Sequence, residues 1–101
     1  MDVHLRVIIY EPGEPGRVVE IASTVEAIQE VVGGFFEVFW DEATRAYVYV
    51  NEDGLARKLR PNRRFGQHDV VGVAVFTTHD QYGDTTGLGD DDVVRIRAAY
   101  G

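Results

Sequence analysis

An α+β fold is what this sequence predicts: an antiparallel sheet of five or six strands, one amphipathic helix after the first hairpin, and a C-terminal helix. Three observations lead there. Short apolar runs rich in β-branched residues recur along the chain, separated by clusters of Pro, Gly, Asn and Asp. One segment abandons the two-residue pattern for helical spacing and is framed by capping signals. The connections are mostly short, which favours antiparallel neighbours and leaves the helix to cover one face of the sheet. No repeat or linker interrupts the 101 residues, so residues 1–101 are read as a single domain, which should bury roughly 65% of the surface exposed by the unfolded chain.

The first strand is read over His4 to Tyr10, where Leu5, Val7, Ile8 and Ile9 supply apolar and branched side chains. Glu11-Pro12-Gly13-Glu14-Pro15-Gly16 then gives two turn signals in succession, and Arg17 to Ile21 returns as the second strand of a long-looped hairpin. Ser23-Thr24-Val25-Glu26 fits a capping box, with the Ser23 hydroxyl accepting from the Glu26 amide and the Glu26 carboxylate reaching back. Val25, Ile28, Val31 and Val32 share one face at helical spacing, which predicts a helix over 24–32 with Gly33 as its left-handed C-terminal residue.

Gly34 to Trp40 and Ala46 to Val50 form a second hairpin around the polar loop Asp41 to Arg45. Asn51-Glu52-Asp53-Gly54 is turn chemistry, and Leu55 to Leu59 is read as a short strand leaving it. Arg60 to Phe65 is assigned to a loop. Asp69 to Thr78 is the longest β-branched stretch and is read as a central strand, with Gly72 marking a bulge or a close backbone approach. His79 to Gly89, with Gly83, Gly87 and Gly89, is expected to be a mobile loop. From Asp90 to Tyr100, acids precede arginines as a helix dipole prefers, although the alternation of Val94, Ile96 and Ala98 also allows a strand.

Composition closes several functional classes. Without cysteine there is no disulfide, thiolate nucleophile or cysteine-based zinc site. The N-terminal residues lack the basic start and apolar run of a signal peptide, and no apolar run approaches membrane-spanning length, so a cytoplasmic setting without membrane attachment is expected. Seventeen acidic residues against ten basic ones give a formal charge of −7, which opposes general nucleic-acid binding. Lys58 is the only lysine among the basic residues, a bias that high-GC coding or adaptation to salt would each explain.

Against that acidity, Arg57, Lys58, Arg60, Arg63 and Arg64 gather half of the basic residues in one short segment. Guanidinium groups there suit a phosphate or carboxylate through their bidentate forks. Asn51, Asp53 and Asn62 flank the cluster and offer polar groups at turn tips. The candidate ligand-binding set is therefore Asn51, Lys58, Arg60, Asn62, Arg63 and Arg64; the competing reading is a solvated loop whose cations pair with the domain's own acids and whose Asn and Asp side chains satisfy turn backbone.

Other polar groups are better explained structurally. Gly33 and Gly34 sit at the end of a helix whose dipole repels anions. Asp84 and Asp90 to Asp92 lack the alternating ligand spacing of a calcium loop and fit helix capping, so no metal is expected. His4, His68 and His79 are scattered, and Ser23, the only serine, belongs to the helix cap, so no catalytic set can be named and no cofactor is expected. Phe35, Phe36, Phe39 and Trp40 read as core and sheet face; adjacent Phe35 and Phe36 point to opposite sides, which leaves one face available to a partner.

Five segments in order, Val32-Gly33-Gly34-Phe35-Phe36-Glu37, Val50-Asn51-Glu52-Asp53-Gly54, Arg60-Pro61-Asn62-Arg63, Val70-Val71-Gly72-Val73-Ala74-Val75 and Gly87-Leu88-Gly89-Asp90-Asp91-Asp92, resemble the domain of unknown function 3846 family over about residues 3–95. That family's pattern has a second Glu where this chain has Asp53, and Leu before the proline where this chain has Arg60. The resemblance implies an accessory protein from bacteria, archaea, plasmids or bacteriophages and carries over no catalytic residue. The expected function is a small non-enzymatic binding protein of a mobile element or phage that recognises an anionic, nucleotide-like ligand. The alternative is an acidic inhibitor or interaction protein that binds a basic host protein surface; either is compatible with a homo-oligomer.

Overall fold

Alternation along the central strands divides the core into two layers. In the computed structural model, which describes residues 4–101, β1 (His4–Tyr10), β4 (Ala46–Asn51) and β7 (Ala74–His79) send Ile8, Tyr10, Val48, Val50 and Phe76 to one face and Val7, Ile9, Tyr49 and Val75 to the other. Both faces are covered, so these strands are apolar nearly throughout. The sheet is antiparallel with order β2-β1-β7-β4-β3, where β2 is Arg17–Ala22 and β3 is Phe36–Asp41. A sixth strand, β8 (Thr85–Thr86), pairs with β7 inside the segment expected to be a loop.

One face is covered by α1 (Val25–Val32), which buries Ile28 and Val32 against Leu5, Val7 and Tyr49. Its cap lies one residue later than the capping box required: the Thr24 hydroxyl accepts from the Ala27 amide at 3.1 Å, leaving Ser23 exposed. The helix begins at Val25, so its third residue is Ala27 rather than Glu26, and the reciprocal carboxylate bond does not form. Gly33 closes the helix in the left-handed region (φ 82°), donating its amide to the Gln29 carbonyl.

The other face is covered by α2 (Asp90–Tyr100) and by a separate ribbon, β5 (Pro61–Phe65) with β6 (His68–Val71). The C-terminal segment is a helix because Val93, Ile96 and Tyr100 bring one face to the core, leaving Val94 exposed. The ribbon corrects two expectations. Residues 60–65 are largely strand, tolerated because Pro61 takes its first position and Gly66-Gln67 make a two-residue turn. The stretch 69–78 is two strands, because Gly72 at φ 79° breaks the extended run and Leu59 Cδ1 lies only 2.8 Å from where a Cβ would stand. Leu55 to Leu59 is likewise not a strand: the Arg57 amide donates to the Asp53 carbonyl at 2.8 Å and the Leu59 amide to that of Gly54 at 3.0 Å, a helix-like turn that leaves Leu55 exposed. No helix among the described residues is long and apolar enough to cross a membrane.

Candidate functional site

Of the five basic residues in the segment, Arg63 alone is turned inward with all three guanidinium nitrogens engaged. Arg63, on β5, lies with its guanidinium carbon 4.8 Å from the Tyr10 ring centroid and 5.8 Å from that of Phe65. Its nitrogens donate to the Tyr100 carbonyl at 2.9 Å, to the Asn62 side chain at 3.0 Å, and to the carbonyls of Glu11 and Glu14 in the β1–β2 loop. A fork of fixed geometry thereby ties β5 to the first hairpin and to the end of α2. Burial pushes the Tyr10 phenol pKa up, while the charges of Arg63 and Arg97 oppose that shift.

Asn62 donates to the carbonyls of Tyr10 and Gly72, both at 2.8 Å, stitching β1 to the break between β6 and β7. Asn51 is buried; it donates to the Val32 carbonyl at 3.1 Å and accepts from the Asp53 amide at 2.8 Å. Arg57 donates to the Gly33 carbonyl at 2.5 Å, satisfying the C-terminus of α1. Arg64 bonds the Gly66 carbonyl at 3.2 Å and stands 3.7 Å from the Asp69 carboxylate. Lys58, held at φ 56°, and Arg60 are exposed and make no side-chain hydrogen bond or ion pair among the described residues. The six candidate residues thus divide: Asn51, Asn62 and Arg63 serve the backbone, Arg64 is partly engaged, and Lys58 and Arg60 face solvent.

A cleft of about 470 Å³ opens between the β3–β4 hairpin, the turn after β4, and β6. Glu37, Glu52, Asp53 and Asp69 line it, and none of the described residues along its walls is a lysine or arginine. Phe39 and His68 stack across one end, with ring centroids 3.8 Å apart and planes 23° from parallel. Sequence reasoning did not assemble this group, because Glu37 lies in the second hairpin, Glu52 and Asp53 read as turn chemistry, and Asp69 as the start of a long strand. Only the fold-back of β5–β6 brings them to one cleft.

Asp41, expected in a polar loop, is buried at the end of β3 and accepts from the Thr44 hydroxyl at 2.5 Å and the Tyr100 hydroxyl at 2.7 Å. Burial, with the Asp41 contact adding to it, pushes the Tyr100 phenol pKa up to about 12. The acids of α2 have local partners: Asp92 accepts from the Gly89 amide and from Arg95, and Asp90 pairs with Arg6. Burial alone would raise the Asp92 pKa, but those bonds and the charges of Arg95 and Arg45 hold it below the usual carboxylate range. His79 makes a ring-nitrogen contact of 2.8 Å with the Asp80 carbonyl and packs between Trp40 and Tyr47.

No curated protein and no solved structure matches the chain. A family match extends over residues 5–101, taking in both helices, the sheet and the ribbon. The chain belongs to the family described as Domain of unknown function (DUF3846).

Proposed function

We propose that this protein is a non-enzymatic accessory binding module, in keeping with the mobile-element setting that the family resemblance implies, and that it holds a basic segment of a protein partner in the acidic cleft beside β6. The observation that carries this reading is the opposite fate of the two charge sets. Carboxylates of Glu37, Glu52, Asp53 and Asp69 face one cleft, whereas Arg63 and Arg57 are turned onto backbone carbonyls. A formal charge of −7 adds long-range attraction for a cationic partner. The Phe39–His68 stack gives the aliphatic stems of lysine or arginine an apolar surface to lie against.

Calorimetric titration with a short lysine- and arginine-rich peptide tests the cleft. Binding should weaken as salt rises and fall by about tenfold when Glu52→Gln, Asp53→Asn and Asp69→Asn are combined, since exposed pairs contribute only ~0.2–1 kcal/mol each. Absence of binding at low salt, or binding indifferent to the triple variant, overturns the reading.

The anionic, nucleotide-like ligand remains a second reading, supported by the two outward cations Lys58 and Arg60. A nucleotide-induced rise in melting temperature that disappears in Lys58→Ala with Arg60→Ala would favour it over the acidic cleft.

A further inference from the structure

We infer that β3 is a self-association edge, and that two copies of this chain join their sheets by antiparallel β3–β3 pairing in one register centred on Val38. β3 ends the strand order on its side of the sheet. It exposes 47% of Val38 and 38% of Trp40 on the same sheet face, with Glu37 its one exposed charge, and an edge with open backbone groups and exposed apolar side chains is a template for another strand. The opposite edge, β2, is protected by Pro15 just before it and by exposed Arg17 and Glu20.

The backbone restricts how a second copy can pair. The Glu52 amide donates to the Phe35 carbonyl, and the register matches Phe36 with Asn51 and Val38 with Tyr49. Alternation then turns the amides and carbonyls of Phe36, Val38 and Trp40 away from β4 toward the open edge. An isologous pair must match these outward residues with one another.

Charge and overlap together select among the remaining registers, since centring on Phe36 or Trp40 would pair only one outward residue of β3 per chain. With Val38 opposite its own copy, Trp40 meets Phe36 of the partner subunit, and Glu37 meets Phe39 of the partner subunit, so no like charges oppose. A slip by two residues one way puts Glu37 against Glu37, and the other way puts Glu37 against Asp41; directly opposed like charges destabilise a strand pair. The Val38-centred register also covers the exposed Trp40 ring and lengthens the sheet without interruption.

Sedimentation velocity from micromolar to millimolar concentration is the test. The mass should rise from 11.3 kDa toward twice that value, more readily at higher salt because each copy carries −7. Basic-peptide binding responds to salt in the opposite sense, so failure of one proposal is separable from failure of the other. Val38→Pro removes an outward amide without touching the β4 ladder, and should sediment as a monomer at every concentration with an unchanged circular dichroism spectrum. Should that variant misfold, mixing Glu37→Cys chains with Phe39→Cys chains under oxidation decides the register: a mixed disulfide dimer supports it, since the native chain has no cysteine. A wild-type monomer at millimolar concentration, a dimer that survives Val38→Pro, or absence of the mixed disulfide overturns the proposal.

Discussion

Two regions of this molecule carry opposite charge and orient it in opposite directions. In residues 57–64, guanidinium and amide groups bend back onto carbonyls of α1, the first hairpin and α2, so that the segment works as a brace. In the cleft beside β3, the carboxylates of Glu37, Glu52 and Asp53 face outward without an ion-pair partner among the described residues. A cluster of cations in an acidic chain is therefore no guide to a ligand site unless its donors are shown to be unspent. Backbone carbonyls at element ends, which need partners when buried, can consume the central members of such a cluster.

That contrast is broken most directly at Arg63. If the segment is a brace, Arg63→Ala should lower unfolding stability by about 2 kcal/mol in urea denaturation, the range expected for hydrogen bonds to a charged group. Arg63→Lys should recover little, because a point charge cannot replace a planar fork that bonds several carbonyls. A neutral Arg63→Ala would place the residue among the solvent-facing cations instead.

Tyr100 joins the two regions, accepting from Arg63 at its carbonyl and donating to Asp41 at the end of β3. Its folded pKa of about 12 lies above the ordinary 10.0, so the unfolded chain ionises first as pH rises. The stabilisation is complete below pH 10 and is lost as pH climbs toward 12. Tyr100→Phe should cost about 1 kcal/mol at neutral pH through the lost donor, and should flatten the alkaline decline to the part contributed by Tyr10, also raised by burial. Stability measured from neutral to strongly alkaline pH checks both effects.

The smallest change is expected at the outward cations. Lys58→Ala with Arg60→Ala should alter stability by no more than about 0.5 kcal/mol, as for surface substitutions lacking partners. A larger loss, read from the same denaturation experiment, would show that the brace extends across the whole segment.

The sheet, α1 and α2 were legible because their signals are local and repetitive: β-branched runs, the Ile28–Val32 face, and Val93 and Ile96 on one side of the last helix. What escaped was non-local. Pro61 to Phe65 looks like a loop because Arg63 and Arg64 are polar, yet it is strand because His68–Val71 lies beside it. Gly72 was legible as an irregularity, but whether a glycine bulges a strand or divides it depends on Leu59, which fills the space a side chain would need. The partners of the candidate residues were illegible for the same reason. Asn51, Asn62 and Arg63 were identified as residues with unusual chemistry, but their partners lie at Val32, Tyr10, Gly72 and Tyr100, distant in sequence.

Trp40, the chain's single tryptophan, sits at the sheet border beside Tyr47 and His79, with its indole nitrogen bonded to Glu42 at 2.7 Å. Its emission is therefore a spectroscopic gauge of that border rather than of the interior. A blue shift on concentrating the protein would register contact there while every core residue stays unchanged, and a melting curve followed at the indole need not coincide with one followed in the far ultraviolet.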